Sequence, residues 1–308
     1  MFTHGQIGLF GKLPAQGDFL RVHVADPTAQ GLVRWFEEGV EGLHRANARL
    51  AGDPVRFVFR LPGGSNFLVG VFSTSVDRVG RNFPLAIFVP VQARDAGAQF
   101  PLLPAVYAPF FQAATAVLAE APRLEGKQLA EKLPHLPLPG EAELRRAESF
   151  LRRAAGSDRA VPFSTRVFGD PAAGLHYYAY WTFLSACQPV RGKEPSKANV
   201  ALDCPASDEV DLHVWLDLSR RLLRWSAPPP FFWRDQNDGR LLLSVGPASG
   251  SLLTYLSDPT RPTNKVWPLR TAQSNAVGSA KQGLGPAQVA AIDRPDGSID
   301  QLIELLSH

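Results

Sequence analysis

The sequence predicts an α/β protein in which helices pack on both faces of a mixed β-sheet. Strand patterns and amphipathic helix patterns are interspersed along the chain. Residues 85–91 form an almost continuous apolar run, which is typical of a strand covered on both faces. Two pairs of strand patterns are predicted to form hairpins, so part of the sheet is expected to be antiparallel.

Composition limits the classes of function. The chain has 308 residues, enough for a large core and about one or two domains. Its 32 basic and 29 acidic residues give a formal net charge of +3, too close to balance to predict nucleic-acid binding. No signal peptide is evident and no apolar run approaches the ~18 residues of a membrane span, so we expect a cytoplasmic protein without membrane insertion. The two cysteines, Cys187 and Cys204, make no disulfide framework, which favours a compartment that keeps thiols reduced.

The N-terminal part of the chain carries clear strand and helix signals. Residues 7–10 are predicted to form a buried strand. Asp26-Pro27 is predicted to open the first helix, with Asp26 as its N-cap. The following elements are expected to be strands at 55–61, 67–72 and 85–91, a loop at 73–84, and a second helix after Pro104.

The C-terminal part has weaker signals. The proline-rich stretch 122–140 is the predicted boundary, so we expect a region 1–125 and a region 126–308 that pack together as one compact unit. Ser298-Ile299-Asp300-Gln301 is a capping box that predicts a last short helix. The remaining predictions are helices at 141–155 and after Ser207, strands at 176–186, 198–202, 231–233 and 241–245, a hairpin turn at 237–239, and a surface excursion at 263–285.

Familiar catalytic and metal-binding patterns are incomplete in this sequence. After Gly11-Lys12 the chain continues with Leu13-Pro14, where a phosphate loop needs Ser or Thr. Residues 235–239 resemble the opening of a calcium loop, but the twelfth position is Gly246 instead of Glu, and a hairpin turn explains them better. The histidines show no i, i+4 pairing, there is no Gly-x-Ser-x-Gly elbow, and Cys187 lies in an apolar stretch. We therefore predict a protein that is not an enzyme and that holds no cofactor or metal.

Two charged loops, framed by glycine and proline, remain as candidate sites. Glycine allows positive φ and proline fixes φ, so each loop is expected to hold one shape. The charged residues of the first loop, 11–21, and of the second, 77–84, are Lys12, Asp18, Arg21, Asp77, Arg78 and Arg81. We expect the two loops to meet in space, because each adjoins a short apolar strand and their charges are complementary.

Two interpretations of these loops remain open. In the first, Asp18 and Asp77 cap turns or pair with the arginines and hold the loops together. In the second, the loops form a surface for a partner, since a rigid loop loses little entropy on binding and arginine suits carboxylate or phosphate groups. In both cases Gly11→Val and Gly80→Val are expected to destabilise the fold, whereas Lys12→Ala is expected to be tolerated as a change at an exposed lysine.

The same residues resemble a known family. The run from Gly8 to Pro14, followed by Gly17-Asp18-Phe19, is similar to the N-terminal signature of TagF (ImpM) proteins, which are accessory proteins of the bacterial type VI secretion system. A second block of the family, Ser-Val-Asp-Arg-Val-Gly-Arg followed by Phe-Pro-Leu, stands here at 75–81 and 83–85. The close resemblance covers the region 1–125.

The resemblance implies a three-layer αβα sandwich and a regulator without catalytic activity. Members of the family act after translation as repressors of secretion, and the implied partner is the forkhead-associated scaffold protein of the system. Some relatives are fused to a phosphatase domain, of which this chain shows no sign. An alternative function is a sensor or enzyme for a phosphorylated ligand or nucleotide, with Lys12, Arg78 and Arg81 as its anion pocket. The oligomeric state is not predicted.

Overall fold

The computed structural model describes residues 2–50, 52–93, 96–197, 200–234, 239–261, 263–272 and 274–308. The strands are β1 (Gly8–Gly11), β2 (Leu20–Val22), β3 (Val55–Arg60), β4 (Asn66–Val76), β5 (Asn82–Gln92), β6 (Val200–Pro205), β7 (Phe231–Arg234), β8 (Arg240–Val245) and β9 (Val266–Pro268). The α-helices are α1 (Pro27–Arg45), α2 (Leu103–Val106), α3 (Ala108–Glu120), α4 (Gly126–Lys132), α5 (Glu141–Ser157), α6 (Ala160–Phe168), α7 (Leu175–Cys187), α8 (Glu209–Leu223), α9 (Ser251–Ser257), α10 (Ser274–Gly283), α11 (Pro286–Ile292) and α12 (Ile299–Leu306).

These strands form one mixed sheet that takes strands from both parts of the chain. Their order is β2-β1-β5-β4-β3-β7-β8-β6-β9. Neighbouring strands pair antiparallel except β6 and β9, which are parallel. β3 pairs with β4 on one side and with β7 on the other. The division of the chain into regions 1–125 and 126–308 itself stays a prediction.

Side chains of the sheet alternate between two hydrophobic cores, one on each face. In β5, Leu85, Ile87 and Val89 belong to the first core, whereas Ala86 and Phe88 belong to the second. Helices α3, α5, α7, α8 and α12 contribute buried residues to the first core, and α1 and α9 contribute to the second. The predicted αβα sandwich of three layers around a mixed sheet is thus confirmed.

The first and last helices begin where their capping residues predicted. One carboxylate oxygen of Asp26 accepts hydrogen bonds from the backbone N–H groups of Thr28 (2.8 Å) and Ala29 (3.3 Å) at the start of α1. At the start of α12, the Ser298 hydroxyl accepts the backbone N–H of Gln301 at 3.3 Å. The Gln301 side chain in turn accepts the backbone N–H of Ser298 at 3.1 Å. Both caps satisfy N–H groups that a helix leaves without internal partners.

Three predictions of secondary structure are wrong. Residues 176–186, predicted as a strand, lie in α7; the helix is apolar and buried around most of its circumference, so its pattern does not separate a helix from a strand. The predicted loop 73–84 is the end of a hairpin, because β4 continues through a run of Ser and Thr that resembled a loop. The predicted surface excursion 263–285 contains β9 and α10. A three-residue strand is too short to show a period.

Smaller differences concern boundaries. The proline-rich stretch 122–140 contains α4, in which Leu129 is buried. Helix α8 has Asp208 instead of Ser207 as its N-cap, since the Asp208 carboxylate accepts the backbone N–H of Asp211 at 2.8 Å. The predicted turn at 237–239 and the calcium-like run 235–239 fall largely outside the described residues.

Within the described part of the chain, no single helix is long and apolar enough to span a membrane. The segments Phe100–Val106 and Ala108–Arg123 meet that test only as a pair, and they are bent by 54° where they join.

Both cysteines lie in the first core as free thiols. Burial raises the pKa of Cys187 and Cys204 above the usual range of a thiol. Thiolate, which is the nucleophilic form of cysteine, is therefore disfavoured at both positions.

Candidate functional site

The first charged loop begins where β1 passes close to β5. Gly11 has a φ of +147°, and a Cβ atom on this residue would lie 2.2 Å from the carbonyl oxygen of Pro84. A side chain is therefore excluded both by the backbone conformation and by the neighbouring strand. The chain then returns along the other side of β1 as β2, the edge strand of the sheet.

The second charged loop is the turn between β4 and β5. The backbone N–H of Asp77 donates to the Arg81 carbonyl at 3.1 Å, and that of Gly80 donates to the Asp77 carbonyl at 2.9 Å. Gly80 has a φ of +82°, which glycine adopts at little cost. One carboxylate oxygen of Asp77, Oδ1, accepts the backbone N–H groups of Val79 (3.0 Å) and Arg81 (2.8 Å). The Asp77 side chain therefore organises its own turn.

The other oxygen of this carboxylate joins the two loops. Asp77 Oδ2 accepts a hydrogen bond from Lys12 Nζ at 2.7 Å and another from Arg81 Nε at 2.6 Å. The side chains of Lys12 and Asp77 are only 7% and 0% exposed. Two further hydrogen bonds to backbone carbonyls join the loops. The backbone N–H of Arg78 donates to the Gln16 carbonyl at 3.1 Å, and the side-chain Nη2 of Arg81 donates to the Gly17 carbonyl at 3.0 Å. The prediction that the loops meet is confirmed.

The donors around Asp77 determine its protonation. Burial by itself raises the pKa of a carboxyl group, because it disfavours the charged form. At Asp77 the hydrogen bonds from Lys12, from the backbone and side chain of Arg81, and from the Val79 N–H outweigh burial and hold its pKa well below the usual range. Asp77 is thus a carboxylate at neutral pH, shared by two cations.

The structure corrects the expectation for Lys12. This lysine is buried, not exposed: its ammonium group lies on Asp77 and 5.0 Å from the ring centroid of Phe19. Phe19 is held in turn by stacking on Phe10, with 5.3 Å between ring centroids, and by an edge contact with Phe83 at 4.8 Å. The expectation that Lys12→Ala would be tolerated therefore has no basis in the geometry.

The remaining charged residues lie outside this cluster. The Arg21 guanidinium lies over the rings of Phe10 (5.0 Å) and Phe19 (5.8 Å). The Asp18 carboxylate accepts the backbone N–H of Phe19 at 2.8 Å, and within the described residues it makes no ion pair. Arg78 is exposed at the turn. Lys12 and Arg81 both donate to the Asp77 carboxylate. The alternative in which Lys12, Arg78 and Arg81 form an anion pocket stays a prediction.

The turn presents an exposed surface that includes two valines that we did not single out from the sequence. We call the exposed residues of this turn the hairpin tip; they are Val76, Arg78, Val79, Gly80 and Arg81. Val79 is 67% exposed and Val76 is 41% exposed, which is unusual for valine. A valine in the middle of a charged turn was the signal in the sequence that could have identified this surface.

The site is an ordered, charged surface. Across the residues that the structure describes, no group of three or more His, Cys, Asp and Glu side chains is placed to hold a metal ion. The fold and the joined loops define an αβα-sandwich protein with a rigid basic surface at one end of β4 and β5.

Comparison with known families finds a match for the N-terminal part of the chain. Residues 8–136 match the family described as "TagF N-terminal domain, Type VI secretion system-associated". This match confirms the resemblance inferred from the two sequence blocks. Both charged loops lie inside the matched segment.

Comparison with solved structures finds similarity to PA0076 from Pseudomonas aeruginosa PAO1. The two proteins are 25% identical over a match that covers 44% of this chain and 64% of that one, with a TM-score of 0.38. The chain thus spans 64% of the length of that protein. No curated protein sequence matches the chain.

The burial of Lys12 makes a prediction about stability. Lys12→Met keeps the apolar stem but removes a donor from a buried acceptor, so the melting temperature should fall by about 2–10 °C. The matched control is Arg145→Met in α5, which breaks an exposed pair with Glu141 and should shift the melting temperature by about 1 °C at most. Equal melting temperatures for the two variants would contradict the buried position of Lys12.

The two loop glycines should differ in their tolerance of a side chain. Gly80→Val meets open space and is strained only by its positive φ, which should cost about 1–3 kcal/mol. Gly11→Val should cost more, because its Cβ also collides with the backbone of β5. Gly52→Val, with open space and no positive φ, is the control and should lie within about 0.5 kcal/mol of wild type. Urea denaturation measures the free energy of unfolding of each variant and so gives their order of stability. A Gly11→Val protein as stable as the Gly52→Val control would refute the expected order.

The lowered pKa of Asp77 predicts a pH dependence. An unfolded Asp titrates near pH ~3.9, so the stabilisation by Asp77 is complete above that pH and is lost as the pH falls towards its lower folded pKa. At pH 7 the free energy of unfolding of the wild type should therefore exceed that of Asp77→Asn by the full contribution of the ionised Asp77. This difference should narrow below about pH 4. Denaturant titrations of both proteins at several pH values test this. A margin that stays constant down to pH 3 would exclude Asp77 as the titrating group.

Proposed function

We propose that the protein is a non-catalytic, cytoplasmic regulator that holds a bacterial type VI secretion system inactive by stoichiometric binding. The observation that carries the proposal is the TagF N-terminal domain at residues 8–136, whose family is associated with that system. The partner we propose is the forkhead-associated scaffold protein, which the family resemblance implies. The absence of any complete catalytic motif from the sequence supports a mode of action by binding.

The geometry of the joined loops supports a binding role for the hairpin tip. Hydrogen bonds to the Asp77 carboxylate hold the hairpin tip in one conformation. The tip therefore loses little conformational entropy when a partner covers it. It combines the exposed guanidinium of Arg78 with the exposed side chain of Val79. Arginine beside apolar surface is enriched in protein interfaces. Arg81, by contrast, is engaged with Asp77 and Gly17 and serves mainly to hold the tip in place.

The response of secretion to the amount of this protein tests the proposal. Removal of the protein should raise type VI secretion without raising the abundance of the secretion proteins, and graded overproduction should lower secretion in proportion. Immunoblots of secreted and cellular fractions measure both quantities. Secretion that does not respond to the amount of this protein would refute stoichiometric repression.

A variant of the hairpin tip tests where the partner binds. Arg78→Glu/Val79→Ser changes two exposed side chains, so the protein should fold normally but bind the purified scaffold protein at least about tenfold more weakly and lose repression. Arg294→Glu, which reverses an exposed arginine outside the matched segment 8–136, is the control and should bind as wild type does. A folded double variant that still binds and represses would place the interface elsewhere, and the arginine face of α5, with Arg145 and Arg152, would be tested next.

A further inference from the structure

A cavity of about 280 Å³ lies beside the hairpin tip, between the C-terminal end of α1 and the first residue of β5. Asn82 connects the two features, because it lines the cavity, follows Arg81 of the hairpin tip and pairs with Val76 across the hairpin. The apolar floor of the cavity consists of the buried side chains of Val40, Leu43 and Leu50. The hairpin tip and the cavity are therefore adjoining parts of one surface.

The wall of the cavity formed by α1 is ordered, because this helix ends in a Schellman motif. Asn47 has a φ of +49° and donates its backbone N–H to the His44 carbonyl at 3.0 Å. The backbone N–H of Ala48 donates to the Leu43 carbonyl at 2.9 Å, which completes the pair of hydrogen bonds that defines the motif. The backbone that leads into Arg49 is thus fixed at the rim of the cavity.

Hydrogen-bond donors surround the apolar floor. The Thr74 hydroxyl donates to Asn82 Oδ1 at 3.0 Å, which orients the Asn82 amide and leaves its two N–H donors without a bond to the described residues. Arg49 at the rim and Arg78 on the hairpin tip are both exposed, and neither guanidinium forms an ion pair with the described part of the chain. None of the described residues that line the cavity is acidic. The surface therefore carries positive charge that no carboxylate of these residues neutralises.

Shape and charge together indicate what the surface binds. At about 280 Å³ the cavity is smaller than the ~300–1,000 Å³ usual for small-molecule sites, so it suits a side chain of a partner protein. Anchor side chains that enter such pockets provide much of the binding energy at protein interfaces. The donors at the rim match a carboxylate, because a guanidinium and an oriented amide both donate to carboxylate oxygens.

We propose that the cavity and the hairpin tip together bind an acidic segment of a partner protein. An apolar side chain of that segment enters the cavity, and a neighbouring carboxylate binds Arg49 and Asn82. A second acidic residue binds Arg78, next to the exposed side chain of Val79. The proposal rests on the binding function proposed for the hairpin tip, and it adds the chemistry of the partner segment and the place where its apolar residue binds.

Selection from a random library of displayed peptides tests the chemistry of the bound segment without assuming a partner. The full chain is the target, and the peptides that bind it saturably should carry Asp or Glu next to Leu, Ile or Phe. Their affinity should fall as the salt concentration rises, because the ion pairs form at an exposed rim. A selection that yields no saturable binder, or only binders without acidic residues, would overturn the proposal.

Matched variants locate the binding site of the selected peptides. Ala48→Phe fills part of the cavity and Arg49→Glu reverses the charge at its rim, so each should weaken peptide binding at least about tenfold. Ala142→Phe in α5 and Arg34→Glu in α1 make the same exchanges at exposed positions outside the cavity and should bind as wild type does. Circular dichroism shows whether each variant is folded, and either folded cavity variant is sufficient for the test. Wild-type peptide affinity in a folded cavity variant would refute the proposal.

Competition with the purified scaffold protein separates this proposal from the proposed function. If both are correct, a selected peptide should displace the scaffold protein from the full chain, and Ala48→Phe should weaken scaffold binding by about tenfold or more. Peptide binding that depends on Arg49 but leaves scaffold binding unchanged would support the cavity as a binding site and would count against the scaffold protein as its partner.

Discussion

The carboxylate of Asp77 is the interaction on which the candidate surface depends. A buried charge is costly unless several donors satisfy it. At Asp77 these donors come from two segments far apart in sequence, because Lys12 follows β1 and Arg81 immediately precedes β5. One acidic side chain therefore holds together the two sequence blocks by which the TagF family is identified. The exposed side chains of Val79 and Arg78 therefore belong to a turn that Asp77 holds in place.

Local chemistry explains which parts of the fold were predictable. Asp26 and Ser298 accept backbone N–H groups within three residues, so their caps could be predicted from short stretches of sequence. The apolar run of β5 likewise predicts burial on both faces. Helix α7 and strand β9 could not be identified this way. The first is apolar around most of its circumference, and the second is three residues long and depends on pairing with β6.

At the candidate site, too, only the features that depend on local sequence could be predicted. Glycine and proline around Lys12 and Asp77 predicted rigid loops, and complementary charge predicted that these loops meet. Nothing local could show that Lys12 is buried, because its burial depends on Phe19 and on a turn that follows three strands later.

The pairing of β3 with β7 has a consequence for how the protein folds. These strands join through Arg56–Trp233, Phe57–Phe232 and Val58–Phe231, and a long stretch of chain separates them. Contacts between such distant residues form slowly, because a large loop must close first. On the ribosome, β3 therefore has an unpaired, apolar edge until β7 has been made. A chain interrupted within this interval exposes that strand edge, and unpaired strand edges favour aggregation.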